Sequence, residues 1–208
     1  MSYRSRGGRR AASRATAVAA ALAAVAVAGV SAGGAAPVRA APPGGWIVAG
    51  SAPSDYEFGT DASNATSGRR SAYILALPLA SASGFGTLMQ TIVADDYRGA
   101  RWRLTASLRT EDATRAQLWM RVDGADRKVL AFDNMDARPL IGTRPWAPYE
   151  IVLDVPADAV SISFGFVLAQ HGKVWADGFR LEKVPLSVPI TARAATPPRA
   201  PVNTDFEN

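Results

Sequence analysis

The chain predicts an all-β protein, a two-sheet antiparallel β-sandwich. Short apolar or alternating runs recur from Trp46 to Val184. Clusters of Gly, Pro, Asp and Asn punctuate them, as in DDYRGA, DGAD, DVPADA and QHG. No segment keeps a helical period, apart from one helical turn predicted over 111–116. Many short strands divided by turn signals indicate a sandwich or barrel, not alternating strand and helix units.

The runs are SAYILAL (71–77), FGTLMQTIVA (85–94), RWRLTASLRT (101–110), QLWMRVDG (117–124), RKVLAFD (127–133), YEIVLDV (149–155), VSISFGFVLA (160–169) and KVWADGFRLEKV (173–184). Side chains alternate along a strand, so each run assigns its own faces. Trp102, Leu104, Ala106 and Leu108 share a core face, and Arg101, Arg103, Thr105, Ser107 and Arg109 a wet one. Ile162, Phe164, Phe166 and Leu168 point inward, while Ser161, Ser163 and Gly165 leave a smooth floor outside. Tyr149, Ile151, Leu153 and Val155 oppose Glu150, Val152 and Asp154. In 173–184 the parity changes, and a bulge near Asp177-Gly178 would bring Val174 and Phe179 to one face. Such one-sided strands are what two packed sheets require.

The first forty residues read as an export signal. An arginine-rich start is followed by a short Ala/Val run and then small residues, with cleavage expected after Ala40. The reading is therefore a signal peptide over 1–40, a β-sandwich domain over 41–184 and a Pro-rich tail over 185–208. It implies a secreted or periplasmic location, with no membrane span once the leader is removed. Six of the 23 Lys and Arg residues lie in that leader. The remainder has 17 basic against 18 acidic residues, a net charge of −1. The excess positive charge that nucleic acid binding needs is then gone. The absence of Cys excludes disulfides, a thiol nucleophile and cysteine metal sites.

Two patterns carry a resemblance. Gln90, Tyr97-Arg98-Gly99, Arg103-Leu104 and Val174 to Glu182 are similar to the corresponding strands and turns of bacterial carbohydrate-binding modules of the galactose-binding-like jelly-roll type. LWMRVDG (118–124 without its Gln), followed by Phe132 to Met135 and Arg138-Pro139, resembles an uncharacterised bacterial domain found alone behind a signal peptide or fused to regulators and hydrolases. The resemblance implies a jelly-roll fold over roughly 46–184. In modules of this class an early strand often begins N-x-G/D-F-E. Here Asn203 to Glu207 carries that pattern at the far end of the chain. Either the tail returns as an added strand with Phe206 in the core, or it is a plain terminus.

The chemistry favours binding over catalysis. His171 is the only His and lies in a turn, so neither a Ser-His-Asp site nor a multi-His metal site is read here. Asp123, Asp133, Asp136, Glu150, Asp154 and Asp177 are the carboxylates from which a glycoside hydrolase pair would be drawn. Asp at strand–turn junctions more often makes Asx turns. No cofactor is read. A structural calcium is compatible with the jelly-roll resemblance, through Asp133-Asn134-x-Asp136 or Asp95-Asp96, although no D-x-D-x-D loop is present.

Trp119 is the odd residue, since it stands on the polar face of its run. If the wet faces of 101–110 and 117–124 adjoin, Arg103, Thr105, Gln117 and Arg121 surround it, and Gln90 joins if its strand has matching parity. An aromatic plate with planar donors suits a hydroxyl-rich ligand. The expectation is a non-catalytic domain that binds a glycan through Trp119, Arg121, Arg103, Gln117, Thr105 and Gln90. The alternatives are an extracytoplasmic protein–protein interaction domain, and a Trp119 covered by the 134–148 segment. Trp102 is assigned to the core and Trp46 to strand-edge packing, while Trp146 and Trp175 are groove rim or staples.

Overall fold

The structure, a computed structural model, describes residues 41–192. Nine strands occur in it: β1 (Ile47–Gly50), β2 (Tyr56–Asp61), β3 (Ser71–Ala76), β4 (Phe85–Val93), β5 (Ala100–Asp123), β6 (Val129–Asp133), β7 (Leu140–Val155), β8 (Ser161–Ala169) and β9 (Lys173–Val184). Every pairing is antiparallel. One layer, here called the front sheet, runs β1-β4-β8-β5-β6, and the back sheet runs β2-β3-β9-β5-β7. The leader expected over 1–40 and the added strand expected at Phe206 lie outside the described residues.

β5 belongs to both layers. Arg101 to Glu111 pair with β9, and Arg115 to Asp123 pair with β8. The change of layer takes place over 111–116, where a helical turn was expected. The segment is strand instead. Its ladder to β7 is broken by three register shifts between Leu108 and Ala116, and Asp112 takes a left-handed φ of 48°. Glu, Ala and Arg favour a helix in isolation, but the irregular ladder to β7 claims this backbone: Thr110 Oγ1 donates to the Gly142 carbonyl at 2.8 Å, and the Asp112 amide donates to Thr143 Oγ1 at 3.1 Å. β7 likewise begins at Leu140, nine residues before the apolar run that announced it. As an edge strand it tolerates Pro145 and Pro148, whose missing N–H groups need no partner on the open side.

Alternation gives the core as expected. Leu104, Ala106 and Leu108 from the back half of β5, and Leu118, Met120 and Val122 from its front half, are all buried in one cluster. Ile162, Phe166 and Leu168 face Ile151, Leu153 and Val155 in the same cluster. Each such side chain contributes about 1.5–3 kcal/mol by leaving water. In β9 the bulge falls where the parity changes. The register with β5 shifts between Thr105 and Ser107, Gly178 adopts a φ of +67°, and Phe179 and Leu181 regain the core side with Val174 and Ala176. Trp46 does more than pack on a strand edge. Its ring meets Phe164, Phe166 and Phe179 edge-on at 4.8–6.4 Å and so bridges both sheets. Trp102 packs on the core and donates its indole N–H to the Tyr97 carbonyl at 2.7 Å.

Residues 185–192 lie along β7. Arg101 grips Asp154 through two nitrogens at 2.7 and 3.0 Å and also donates to the Leu186 and Val188 carbonyls. Thr191 and Val152 exchange hydrogen bonds. Arg101 therefore ties the start of the tail to the sandwich.

Candidate functional site

Residues of odd number in 117–123 project from the outer face of the front sheet. Trp119 is among them, yet it is only 1% exposed. It stands opposite Gly165 on β8, and its indole N–H reaches Thr87 Oγ1 on β4 at 2.9 Å. The ring therefore lies flat across β8, over the one position there that has no side chain. A Cβ at Gly165 would come within 2.1 Å of the Leu88 carbonyl, so glycine is required at this crossing. Phe85, Met89, Val167 and Ala169 seal the indole, with Ala49 and Phe132 at the margin. Thr87 passes its own hydroxyl hydrogen to the Phe166 carbonyl at 2.7 Å. An aromatic plate open to solvent at Trp119 is thus ruled out. Its cover is the sheet's own neighbours, not the 134–148 segment, which supplies most of the first half of β7.

The other expected site residues separate. Arg103 and Thr105 lie on the back half of β5, so they project from the opposite side of the sandwich. Arg103 sits between Glu150 and Glu182, each at 3.3 Å. The wet faces of 101–110 and 117–124 do not adjoin, because β5 changes layer between them. Gln90 shares inward parity with Leu88 and Ile92 and pairs with core-facing Phe164, so it too is removed from this surface. Gln117 projects outward but is fully buried, with its amide donating to the Asn134 carbonyl at 2.7 Å. Of the six, Arg121 lines a groove on this face.

That groove, of about 590 Å³, lies beside Trp119 on the front face. Its floor is Met89 and Thr91 from β4, Ser161 and Ser163 from β8, and Arg121 and Asp123 from β5. Ile47 and Val160 give it an apolar lip, and the turn 124–127 walls its end. The room above Ser161 and Ser163 is what their small size forecast. Thr91 and Ser163 hydroxyls share a hydrogen bond at 2.9 Å. Arg121 Nε donates to Asp123 Oδ2 at 2.9 Å. Asp123 is 6% exposed, and its Oδ1 has no hydrogen-bond partner among the described residues. In the turn, Asp126 and Arg127 are both left-handed, with φ of 54° and 58°. The sequence named Asp123 only as a carboxylate candidate and missed Thr91 and the turn. The DGAD cluster marked the turn without showing that it borders a groove.

The back face is closed differently. Trp175 is 3% exposed. Arg109 and Lys173 lie over its ring at 4.7 and 4.4 Å, and its N–H donates to Asp61 at 2.9 Å. Asp177 accepts the Thr66 and Ser67 amides, each at 2.8 Å, which pins the 62–70 loop over this sheet. Trp175 is therefore a staple and not a groove rim. Asp61 is held well below the usual carboxylate range, first by the Ser63 hydroxyl and then by the Trp175 N–H. Burial pushes Asp177 up, but the Ser67 and Thr66 hydrogen bonds outweigh it and lower its pKa.

The FDNM…RP pattern forms a locked turn. Asp133 accepts the Met135 amide at 2.7 Å and pairs with Arg138 at 2.8 Å, while Met135 is buried with a φ of 55°. With both oxygens so engaged, Asp133 does not fit a calcium ion. Asp95 is engaged by Arg98 at 2.9 Å. Among the described residues no group of three or more His, Asp or Glu could hold a metal. His171 lies in the β8–β9 turn, where its carbonyl accepts the Thr114 amide.

No family model matches the chain. It is 44% identical over 148 residues to YbfP of Bacillus subtilis (strain 168), an uncharacterized HTH-type transcriptional regulator. That match covers 71% of this chain and 50% of the relative, so the chain spans about half the length of the curated relative it matches. Among solved structures, the CBM22-1 xylan-binding domain of Paenibacillus barcinonensis Xyn10C superposes with a TM-score of 0.51 at 11% identity, over 69% of this chain and 88% of that one. A second xylan-binding domain of CBM 22 gives 0.50 at 13% identity, over 68% and 88%. The fold is thus an antiparallel β-sandwich like that of carbohydrate-binding modules, in keeping with the galactose-binding-like jelly-roll resemblance.

Proposed function

We propose that the chain is an exported, non-catalytic domain that binds a glycan in the groove beside Arg121. The observation that carries this reading is the groove's composition. A guanidinium, a carboxylate and the hydroxyls of Thr91, Ser161 and Ser163 share its lining with the apolar side chains of Ile47, Met89 and Val160. A sugar ring offers the matching surfaces, hydroxyls around its edge and C–H groups on its face. Trp119 packs against Met89 beside the groove. The likeness to xylan-binding domains supports the glycan, and the leader at 1–40 supports export. Among the described residues no helix is long and apolar enough to cross a membrane.

The carboxylates support a non-catalytic role. Asp123, Asp133, Asp136, Glu150 and Asp154 are each engaged by an arginine, and Asp177 by loop amides. Hydrolysis needs one carboxyl free to donate a proton to the leaving group while another attacks or activates water. As for a protein-docking face, the most exposed large apolar side chains are apart in the chain: Leu79 lies between β3 and β4, Val93 ends β4 and Leu186 follows β9.

A second reading is favoured by the regulator relative. The described residues are strands and short turns, with no helix-turn-helix among them. In a regulator, a domain of this kind would sense a ligand and leave DNA reading to the other half. Both readings place the ligand in the same groove.

The test is a glycan array followed by titration calorimetry, with Thr91→Arg as the control. Thr91 is exposed at the groove floor, so the variant should fold. Its longer, charged side chain should weaken binding about tenfold or more, equal to about 1.4 kcal/mol. Unchanged affinity in Thr91→Arg would remove the groove from the reading.

A further inference from the structure

We propose that Asp123 selects the groove's ligand: its Oδ1 accepts the hydrogen of a ring hydroxyl, so the groove takes neutral sugars and turns away those carrying a carboxylate. This rests on the groove being the glycan site and adds the class of glycan.

Asp123 is more than nine-tenths buried, yet it lines the groove. Arg121 Nε holds Oδ2 at 2.9 Å, which fixes the plane of the carboxylate. Oδ1 is left without a donor among the described residues. A buried carboxylate oxygen without a hydrogen bond is costly, and a donor arriving from the groove would satisfy it. The nearby floor hydroxyls are less available, because Thr91 and Ser163 bond each other at 2.9 Å. The strongest acceptor of the groove lining left without a hydrogen bond among the described residues is therefore Oδ1, which is itself covered.

The turn 124–127 controls access to it. Gly124 and Lys128 close the turn through their backbone at 2.8 Å. Asp126 and Arg127 are consecutive left-handed residues with side chains, a conformation that residues other than glycine adopt at a cost. Residues 125–127 are exposed, so they can lift without disturbing the core. A hydroxyl entering beneath them meets Oδ1, while the C–H face of its ring lies toward Ile47, Met89 and Val160.

Charge sets the class. Asp123 and Asp126 oppose an anion, and Arg121 and Arg127 oppose a cation. A uronate carboxylate brought to Oδ1 would add like charge to a desolvated site, with no proton to share.

The full chain is titrated with neutral oligosaccharides and their uronate counterparts, and then with monodeoxy forms of the tightest neutral binder. Wild type should prefer the neutral form by about tenfold or more, and one monodeoxy form should lose a similar factor. Asp123→Asn should bind the parent about tenfold more weakly and no longer distinguish it from that deoxy form. Asp123→Asn behaving as wild type toward both, or wild type binding uronates as well as neutral sugars, would overturn the assignment while leaving the groove reading intact. Wild type binding no glycan would end both. Should Asp123→Asn fail to fold, the wild-type choice between neutral and uronate forms still decides.

Discussion

The two outer faces of the sandwich each carry a tryptophan at a position that alternation marks as wet, and each hides it by a different means. On the front face Trp119 lies down over Gly165 and is sealed by apolar neighbours of its own sheet. On the back face Trp175 is roofed by Arg109 and Lys173 and tied to a loop through Asp61. The first arrangement uses almost no loop and leaves the adjoining strands free to form a groove. The second ties down the nine residues of the 62–70 loop beside the ring. Where ligand surface remains open is thus decided by how each indole is buried.

The largest expected effect breaks this comparison directly. Trp119→Ala removes a large side chain from a sealed apolar nest and takes the indole donor from Thr87 Oγ1, and it should cost about 3–5 kcal/mol. Trp175→Ala loses a ring that the flexible stems of Arg109 and Lys173 can partly replace, and about 2 kcal/mol is expected. Urea denaturation of both variants measures the difference. Equal losses would mean that the two burials are energetically the same and that the distinction is only geometric.

How much of this was legible in the sequence follows from the same contrast. Alternation is a local property, so it named the inward residues Leu104, Leu108, Leu118, Phe166 and Leu153. The parity change around Asp177-Gly178 was readable for the same reason, since a bulge leaves its mark within a few residues. Where β5 changes layer is not local. It depends on which strands claim the backbone on either side of Asp112, and nothing within 111–116 states this. That single crossing separated Arg103 and Thr105 from Arg121 and dispersed the expected site. Trp119 was misplaced for a related reason: its cover includes Phe85 and Met89, distant in sequence and two strands away in the sheet. β1 and β2 escaped because IVAG and YEFGTD are short and weakly patterned.

Acid sharpens the comparison at intermediate cost. The pKa of Asp61 is depressed in the fold, and that of Asp177 is lowered as well. A depressed folded-state pKa gives stability that is complete above the unfolded value, about pH 4, and is lost as pH falls further. Both groups hold the back-face loop, and neither touches the groove. Asp61→Asn should therefore be less stable than wild type at pH 7, and the gap should shrink below about pH 4. Chemical denaturation at pH 7 and pH 2.5 tests this, and a constant gap would show that Asp61 contributes through shape rather than charge.

The smallest effect is the most instructive for the site. Arg103 was placed beside Trp119 by its sequence and stands on the other side of the molecule in the fold. Its ion pairs join partners that are more than half exposed, Glu150 at 52% and Glu182 at 55%. Water screens such pairs, and each contributes between about 0 and 1 kcal/mol. Arg103→Ala should lower stability by less than about 1 kcal/mol, a loss that 0.5 M salt should reduce further. It should leave glycan affinity unchanged, because the guanidinium has no path to the groove except through the core. A fall in affinity from Arg103→Ala with the melting temperature intact would reverse the assignment of faces. The ligand surface would then be on the back sheet, beneath the loop that Asp61 and Asp177 hold in place.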